Sequence, residues 1–232
     1  MPVVIAFISQ KGGVGKSTLA RSVGVVAARA GHKVKIADLD CLQQTLVRWT
    51  QTRDTYGLSP AVTVEPYADA ERACAASAGA DLLLLDTPGK VNDPMMDVAR
   101  RASLLVLPTS PSLDDLYPSV MVHEALQNVG IGRDRLAFAL CRVLSEEEGE
   151  SARSFLVAQG YSVVSGELYE QRGYRDALNT GRGLTETQDE HLNALAERVM
   201  NDVLERVCAH RDNTSPIAAL SFRNIRSARP AR

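Results

Sequence analysis

Eight residues near the start of the chain, Lys11-Gly12-Gly13-Val14-Gly15-Lys16-Ser17-Thr18, bring two cations, three glycines and two adjacent hydroxyls together. The apolar, β-branched run Val3 to Ile8 precedes them, and Leu19, Val23, Val26 and Ala30 follow at helical spacing. A buried strand, a glycine-rich turn and a helix in that order aim backbone N–H groups and the positive end of a helix dipole at an anion. The stretch therefore reads as a phosphate-binding loop. Gly12, Gly13 and Gly15 would let the backbone turn at positive φ and approach phosphate oxygens where a Cβ would collide. Lys16 would reach β/γ-phosphates, and the Ser17 hydroxyl would ligate Mg²⁺. Taken alone, Lys11 is either a solvated loop charge or an additional cation for the same site.

Two carboxylate groups fall where such a loop needs them. Val34 to Ala37 reads as a strand that ends in Asp38-Leu39-Asp40, and Asp81 to Asp86 is an apolar strand closed by an aspartate, in the form of a Walker B segment. Open α/β sheets bind ligands beyond the C-terminal ends of their strands. Phosphoryl transfer from ATP to water requires cations at the β/γ oxygens, a bridging metal and a group that positions the attacking water. Lys16 and Lys11 are candidates for the first task. Ser17 and Asp86 are candidates for the metal, with Asp38 beside them, and Asp40 for orienting or deprotonating the nucleophile. Thr87-Pro88-Gly89 reads as a switch-like loop with a glycine N–H near the γ-phosphate. The competing reading of Asp38 and Asp40 is that they are strand-end helix caps or turn formers.

The elements that must position these residues alternate along the chain. Strands are expected at Val3 to Ile8, Val34 to Ala37, Ala61 to Glu65, Asp81 to Asp86, Leu104 to Leu107 (broken by Pro108), Leu136 to Cys141 and Tyr161 to Val164. Helices are expected from Leu19, over Thr45 to Arg53, Tyr67 to Ala78, Pro94 to Arg101, through Val120 and Leu126, over Glu150 to Gln159, and along Leu192, Leu195, Val199 and Val203. This alternation predicts an α/β fold, a doubly wound and mostly parallel sheet with helices on both faces. The expected organisation is one domain over residues 1–210 and a basic, flexible tail over 211–232.

With 232 residues, 45% hydrophobic and 23% charged, the composition is that of a globular protein with a substantial core. No apolar run reaches the length of a membrane span and no charged segment leads the first apolar run, so a cytoplasmic, membrane-free protein is expected. Cys41, Cys74, Cys141 and Cys208 are scattered without pairing or histidine clusters, which argues against zinc or iron–sulfur sites. Net charge is −2, but residues 211–232 hold five arginines against one aspartate, leaving −6 for the rest. Arg153, Arg172, Arg175 and Arg182, with the tail, could form a phosphate-contacting surface; scattered arginines can equally be a solvated face.

Lys11-Gly12-Gly13-Val14-Gly15-Lys16-Ser17-Thr18 resembles the deviant Walker A motif of the ParA/MinD family of ATPases. Asp38-Leu39-Asp40 resembles the Asp-x-Asp opening that family's switch I, although Cys41-Leu42 stands where Pro-Gln is common. Asp86-Thr87-Pro88-Gly89 is similar to its switch II. Pro108-Thr109-Ser110-Pro111-Ser112 with Asp115, and Gln171-Arg172 to Leu178, resemble segments of the small ParF-like plasmid partition ATPases. The resemblance implies that Lys11 crosses a dimer interface to the partner's nucleotide and that Asp40 is linked to hydrolysis. It further implies a homodimer around ATP and Mg²⁺, non-specific DNA binding with nucleoid association in the ATP state, and hydrolysis stimulated by a centromere-binding protein. Plasmid or chromosome partition is the implied function. A related ATPase for conjugative transfer or cargo positioning, or a MinD-like membrane switch, shares the motifs. A metabolic P-loop kinase would have no use for Lys11.

Overall fold

In the computed structural model, which describes residues 1–89 and 93–209, a seven-stranded sheet occupies the centre and every strand pair is parallel. The strands are β1 (Val3–Phe7), β2 (Val34–Asp38), β3 (Thr63–Pro66), β4 (Leu82–Asp86), β5 (Leu104–Thr109), β6 (Leu136–Val143) and β7 (Leu168–Tyr169), in the spatial order β3-β2-β4-β1-β5-β6-β7. The helices are α1 (Lys16–Arg29), α2 (Thr45–Thr55), α3 (Ala70–Ala75), α4 (Asp93–Arg101), α5 (Leu113–Asn128), α6 (Glu146–Ala158), α7 (Arg172–Asn179) and α8 (Glu190–Ala209). The doubly wound fold expected from the alternation is the fold observed.

The period of two along each buried strand explains how one sheet holds two cores. Val3, Ile5 and Phe7 of β1 and Leu82 and Leu84 of β4 face one cluster, which α1, α2 and α8 close with Leu19, Trp49 and Val203. Val4, Ala6, Leu83 and Leu85 face the other, closed by Ala73 of α3, Val98 of α4, Leu126 of α5 and Leu156 of α6. Covering both faces is why these strands read as continuous apolar runs. The chain runs from β1 to β2 on one side of β1 and from β4 to β5 on the other, so β1 lies at the reversal where ligands of such sheets bind.

Several boundaries differ from expectation for local reasons. The helix expected over Tyr67 to Ala78 is only α3, because the Asp69 side chain accepts from Arg72 N at 2.8 Å and starts the helix there. The α6 helix begins four residues earlier than Glu150: Ser145 caps Glu148 N, and the Glu148 carboxylate accepts from Leu144 N at 2.8 Å. Pro108 does not break β5. Ile8 N donates to Val106 O, so the β1 edge of β5 is paired only up to Val106, and the N–H that Pro108 lacks falls beyond the end of β1 on that same edge. Tyr161 to Val164 contributes a single bridge, Phe138 to Val163, rather than a strand, and β7 lies further on. Residues 211–232 lie outside the described residues. No helix among the described residues is long and apolar enough to cross a membrane.

One buried histidine is expected to contribute acid sensitivity to the fold. His123 of α5 is stacked on Phe138 with ring centroids 5.3 Å apart and meets the edge of Tyr161 at 4.6 Å. Burial, reinforced by Arg133 and opposed by Glu124, holds its pKa below the usual 6.5. A folded-state pKa depressed below the unfolded value gives stability that is complete above about pH 6.5 and lost as the pH falls through the folded pKa, at up to about 1.4 kcal/mol per pH unit. Asp86 and Asp38, whose pKa values are raised, work in the opposite sense. The informative quantity is therefore the difference between parent and His123→Phe in urea midpoint at pH 7.5 and 5.5. The parent is expected to lose more stability on acidification than the variant.

Candidate functional site

The C-terminal ends of three adjacent strands are in register, Phe7 opposite Asp86 and Asp86 opposite Asp38. The loop leaving β1 is thereby set beside two aspartates. Gly13 at φ +77° and Gly15 at φ +112° take the left-handed conformation expected of them, whereas Gly12 has an ordinary φ and open space where a Cβ would stand. The expectation that Gly12 needs positive φ is thus corrected. Gly15 is the N-terminal cap of α1, and no acidic residue occupies the helix's first turn to compensate its dipole.

A cavity of about 260 Å³ opens over this loop, lined by Gly12, Gly13, Gly15, Lys16, Ser17, Thr18, Arg21, Asp40, Gln43, Thr45, Asp86, Thr87 and Gly89. Lys16 is buried, and its ammonium donates to Lys11 O at 2.9 Å. Burial lowers its pKa against the pull of Asp86 and Asp40. Ser17 Oγ donates to Asp86 Oδ2 at 2.6 Å, while Asp86 Oδ1 is buried without a partner. Burial, with Asp38 nearby, pushes the Asp86 carboxyl up to about 7 despite Ser17, Lys16 and Arg21. An orphaned carboxylate oxygen beside a hydroxyl forms an all-oxygen donor pair that fits Mg²⁺, a metal that ordinarily takes one or two protein ligands and completes its shell with water and substrate phosphate. Among the described residues no group of three His, Cys, Asp or Glu side chains could hold a metal.

Asp38 is corrected from metal ligand to helix cap. It is fully buried, and its oxygens accept from Leu46 N at 3.0 Å, Val47 N at 3.4 Å and Asp40 N at 3.1 Å. It fastens the first turn of α2 under the rim. Asp40 does face the cavity, with one oxygen accepting from Gln43 N at 3.0 Å. The Cys41-Leu42 departure makes a tight turn: Gln44 N returns to Asp40 O at 2.8 Å, Gln44 takes φ +46°, and Leu42 points into solvent.

Lys11 lies at the rim, half-exposed, and donates to Asp115 Oδ1 at 2.7 Å; the other Asp115 oxygen accepts from Ser110 Oγ at 2.7 Å. In the single chain, then, the second lysine is held by its own α5. Gly89 presses its backbone on the loop so closely that a Cβ would stand 3.2 Å from Gly12 N, and Thr87 Oγ1 donates to Phe7 O at 2.8 Å.

Sequence reasoning missed two parts of the site. Arg21, one turn along α1 from Ser17, is half-buried, donates to Thr18 Oγ1 at 3.3 Å and lines the cavity with Asp86, and desolvation lowers its pKa to about 10; an arginine inside a helix pattern gives no signal of this. A second cavity of about 220 Å³ adjoins the same loop through Gly13, Gly15 and Thr18, and its far wall is Arg142, Glu170, Tyr174, Leu178 and Leu184. Arg142 adopts φ +58°, an uncommon conformation for its type that recurs at functional positions. The four candidate arginines separate. Arg153 gives its guanidinium to Glu167 and to the carbonyls of Val164 and Gly166, a structural strap that removes it from a phosphate-binding set. Arg182 donates to Thr180 Oγ1, whereas Arg172 and Arg175 project from α7, 91% and 67% exposed, in surface ion pairs with Asp176 at 3.3 Å and Glu170 at 2.9 Å.

A family model described as the ATPase MipZ matches residues 3–64. The Maintenance of carboxysome distribution protein A of Gloeobacter kilaueensis is 30% identical over 155 residues, covering 66% of this chain and 69% of that protein. The chain belongs to the ParA/MinD family of ATPases. Solved structures share the fold at lower identity. A putative plasmid partition protein of Borrelia burgdorferi bound to AMPPNP superposes with TM-score 0.70 at 12% identity, covering 89% of this chain and all of that one. A chain of the MinC:MinD cell division protein complex from Aquifex aeolicus gives 0.69 at 18% identity over 88% and 96%. Apo McdA of Cyanothece gives 0.69 at 18% identity over 89% and 100%.

Proposed function

We propose that this chain hydrolyses ATP as a homodimer and uses the cycle to position a cargo along DNA, plasmid or chromosome partition being the form that its motifs imply. The observation that supports it most is the convergence of Lys16, Ser17, Asp40 and Asp86 on one cavity beneath a helix N-terminus. The triphosphate lies over Gly12 to Thr18, with Lys16 against its β/γ oxygens, and the base and ribose extend into the cavity walled by Arg142 and Tyr174. Ser17 and Asp86 would hold Mg²⁺, which when bound would supply positive charge to the β- and γ-phosphates. Asp40 orients the attacking water and accepts its proton. Lys11 leaves Asp115 and reaches the other chain's nucleotide, which makes dimerisation part of assembling the site.

Duplex DNA is contacted through Arg172, Arg175 and Arg182, so its retention falls steeply with salt as counterions are released. A cargo other than a replicon is a second reading, favoured by the identity to a carboxysome distribution protein.

The test is sedimentation with ATP or ADP, each with Mg²⁺. The parent is expected to dimerise with ATP alone, and Lys11→Ala to remain monomeric in both. A parent that stays monomeric with ATP, or a Lys11→Ala chain that dimerises as the parent does, overturns the reading.

A further inference from the structure

The α5 helix is apolar on both sides. Leu116, Val122 and Leu126 point into the core, while Leu113, Tyr117 and Met121 stand 59%, 56% and 67% exposed on the opposite side. Their spacing of four places them in one stripe, and a helix apolar all round is ordinarily covered on both sides. Beside the stripe, the Tyr117 ring meets Phe155 of α6 at 6.5 Å, and Val157 of α6 is 56% exposed.

The charge around this stripe is mostly negative, with Lys11 paired to Asp115 at its upper end and Arg133 near His123 at its foot. Asp114, Asp115 and Glu124 are the charged residues of α5, and α6 opens with Glu146, Glu147, Glu148 and Glu150. The one basic residue of α6, Arg153, is turned to Glu167 and two carbonyls. Such a face repels nucleic acid and attracts a cationic segment that also carries apolar side chains.

Residues 211–232 have that composition: five arginines against one aspartate, interspersed with Ile217, Leu220, Phe222 and Ile225. They also start in the right place. Near the end of α8, Arg206 donates to Ser162 Oγ at 2.6 Å and to Val163 O at 2.8 Å. The neighbouring Tyr161 donates to Glu124 of α5 at 3.0 Å, so the 161–163 segment links the end of α8, on one face of the sheet, to the foot of α5 on the other. The 16 residues of α5 span about 24 Å, well within the reach of 22 residues even if they are helical.

We propose that residues 211–232 dock in cis on the α5/α6 face, seating apolar side chains on Leu113, Tyr117 and Met121 and arginines among the surrounding carboxylates. The upper end of the stripe, Leu113, is two residues from the Asp115 that holds Lys11, so the docked segment flanks the nucleotide end of the molecule.

A photocrosslinker tests this on the full chain. Tyr117→p-benzoylphenylalanine, at a solvent-facing position, is irradiated without nucleotide, and the products are mapped by mass spectrometry. Crosslinks within one chain to residues 215–230 are expected, with a yield that falls about fivefold or more when Arg223, Arg226 and Arg229 are all changed to Glu, as loss of a charge-steered contact requires. Circular dichroism of both variants verifies the fold. Crosslinks between chains, which would mean a second copy on the stripe, or an absence of crosslinks to 215–230 in the folded protein, overturn the proposal. So does a yield indifferent to the three charge reversals. The readout needs neither ATP binding nor turnover and stands apart from the nucleotide reading.

Discussion

Lys16→Ala is expected to abolish measurable nucleotide binding while leaving the folded chain intact. The ammonium is buried at the floor of the loop, and its hydrogen bond to Lys11 O is one a phosphate oxygen can replace at little cost. Charge-assisted bonds to two phosphate oxygens are worth about 1.5–3 kcal/mol each, so their loss weakens binding by about 100- to 10,000-fold. A second effect has the same sign: without Lys16, Asp86 and Asp40 face the triphosphate with less cation between them. The apo protein should lose little, because the bond removed is to a carbonyl, Lys11 O, rather than to a buried carboxylate. Titration calorimetry with Mg-ATP and thermal melts with and without it separate the two quantities. The variant should melt near the parent without nucleotide and show no upward shift on adding it. A dissociation constant within about threefold of the parent's would place the phosphates elsewhere.

The second large effect falls on turnover rather than binding. Asp40→Ala is expected to bind Mg-ATP and dimerise as the parent does but to hydrolyse about 100- to 10,000-fold more slowly, the usual worth of a positioned general base. The structure makes the local fold a fair control. Asp38, not Asp40, caps Leu46 and Val47, so α2 keeps its start when Asp40 is truncated. Asp40 does accept from Gln43 N, and an alanine loses that turn as well as the charge. Asp40→Asn keeps an oxygen for Gln43 N and removes the charge. It should be as slow as the alanine variant if the carboxylate acts on water, and close to the parent if Asp40 only shapes the turn. Phosphate release under single-turnover conditions distinguishes these outcomes.

The contrast between Asp38 and Asp40 shows where reading the sequence succeeded and where it stopped. Asp38 ends β2 and Asp40 lies two residues beyond it, and the chain order says only that both lie at the rim. Strand alternation would put residues two apart on one face, but the strand stops at Asp38, and which carboxylate meets the cavity and which meets the start of α2 depends on where the turn through Gln44 sends the helix. Arg153 fails for a related reason. Its partners, Glu167, Val164 and Gly166, come from a segment that forms a single bridge rather than a strand, and no periodicity announces such a contact. Pro108 looked like a strand end because a missing N–H usually is one; here its neighbour β1 had already stopped.

By itself, the sequence determined the alternation of strands and helices, the two-faced core, the phosphate-binding loop and Asp86 at the end of its strand. These are local patterns: side-chain period, glycine freedom and the helix start are set by residues a few positions apart. Only the tertiary structure decided what meets across the chain. It put Ser17 on Asp86, 69 residues away, and Lys11 on Asp115, 104 residues away. It also pressed Gly89 onto Gly12 and opened a second cavity behind Gly15. Such pairings follow from the order in which parallel strands lie in the sheet, β4 and β5 flanking β1, and that order is a property of how two cores pack rather than of any stretch of residues.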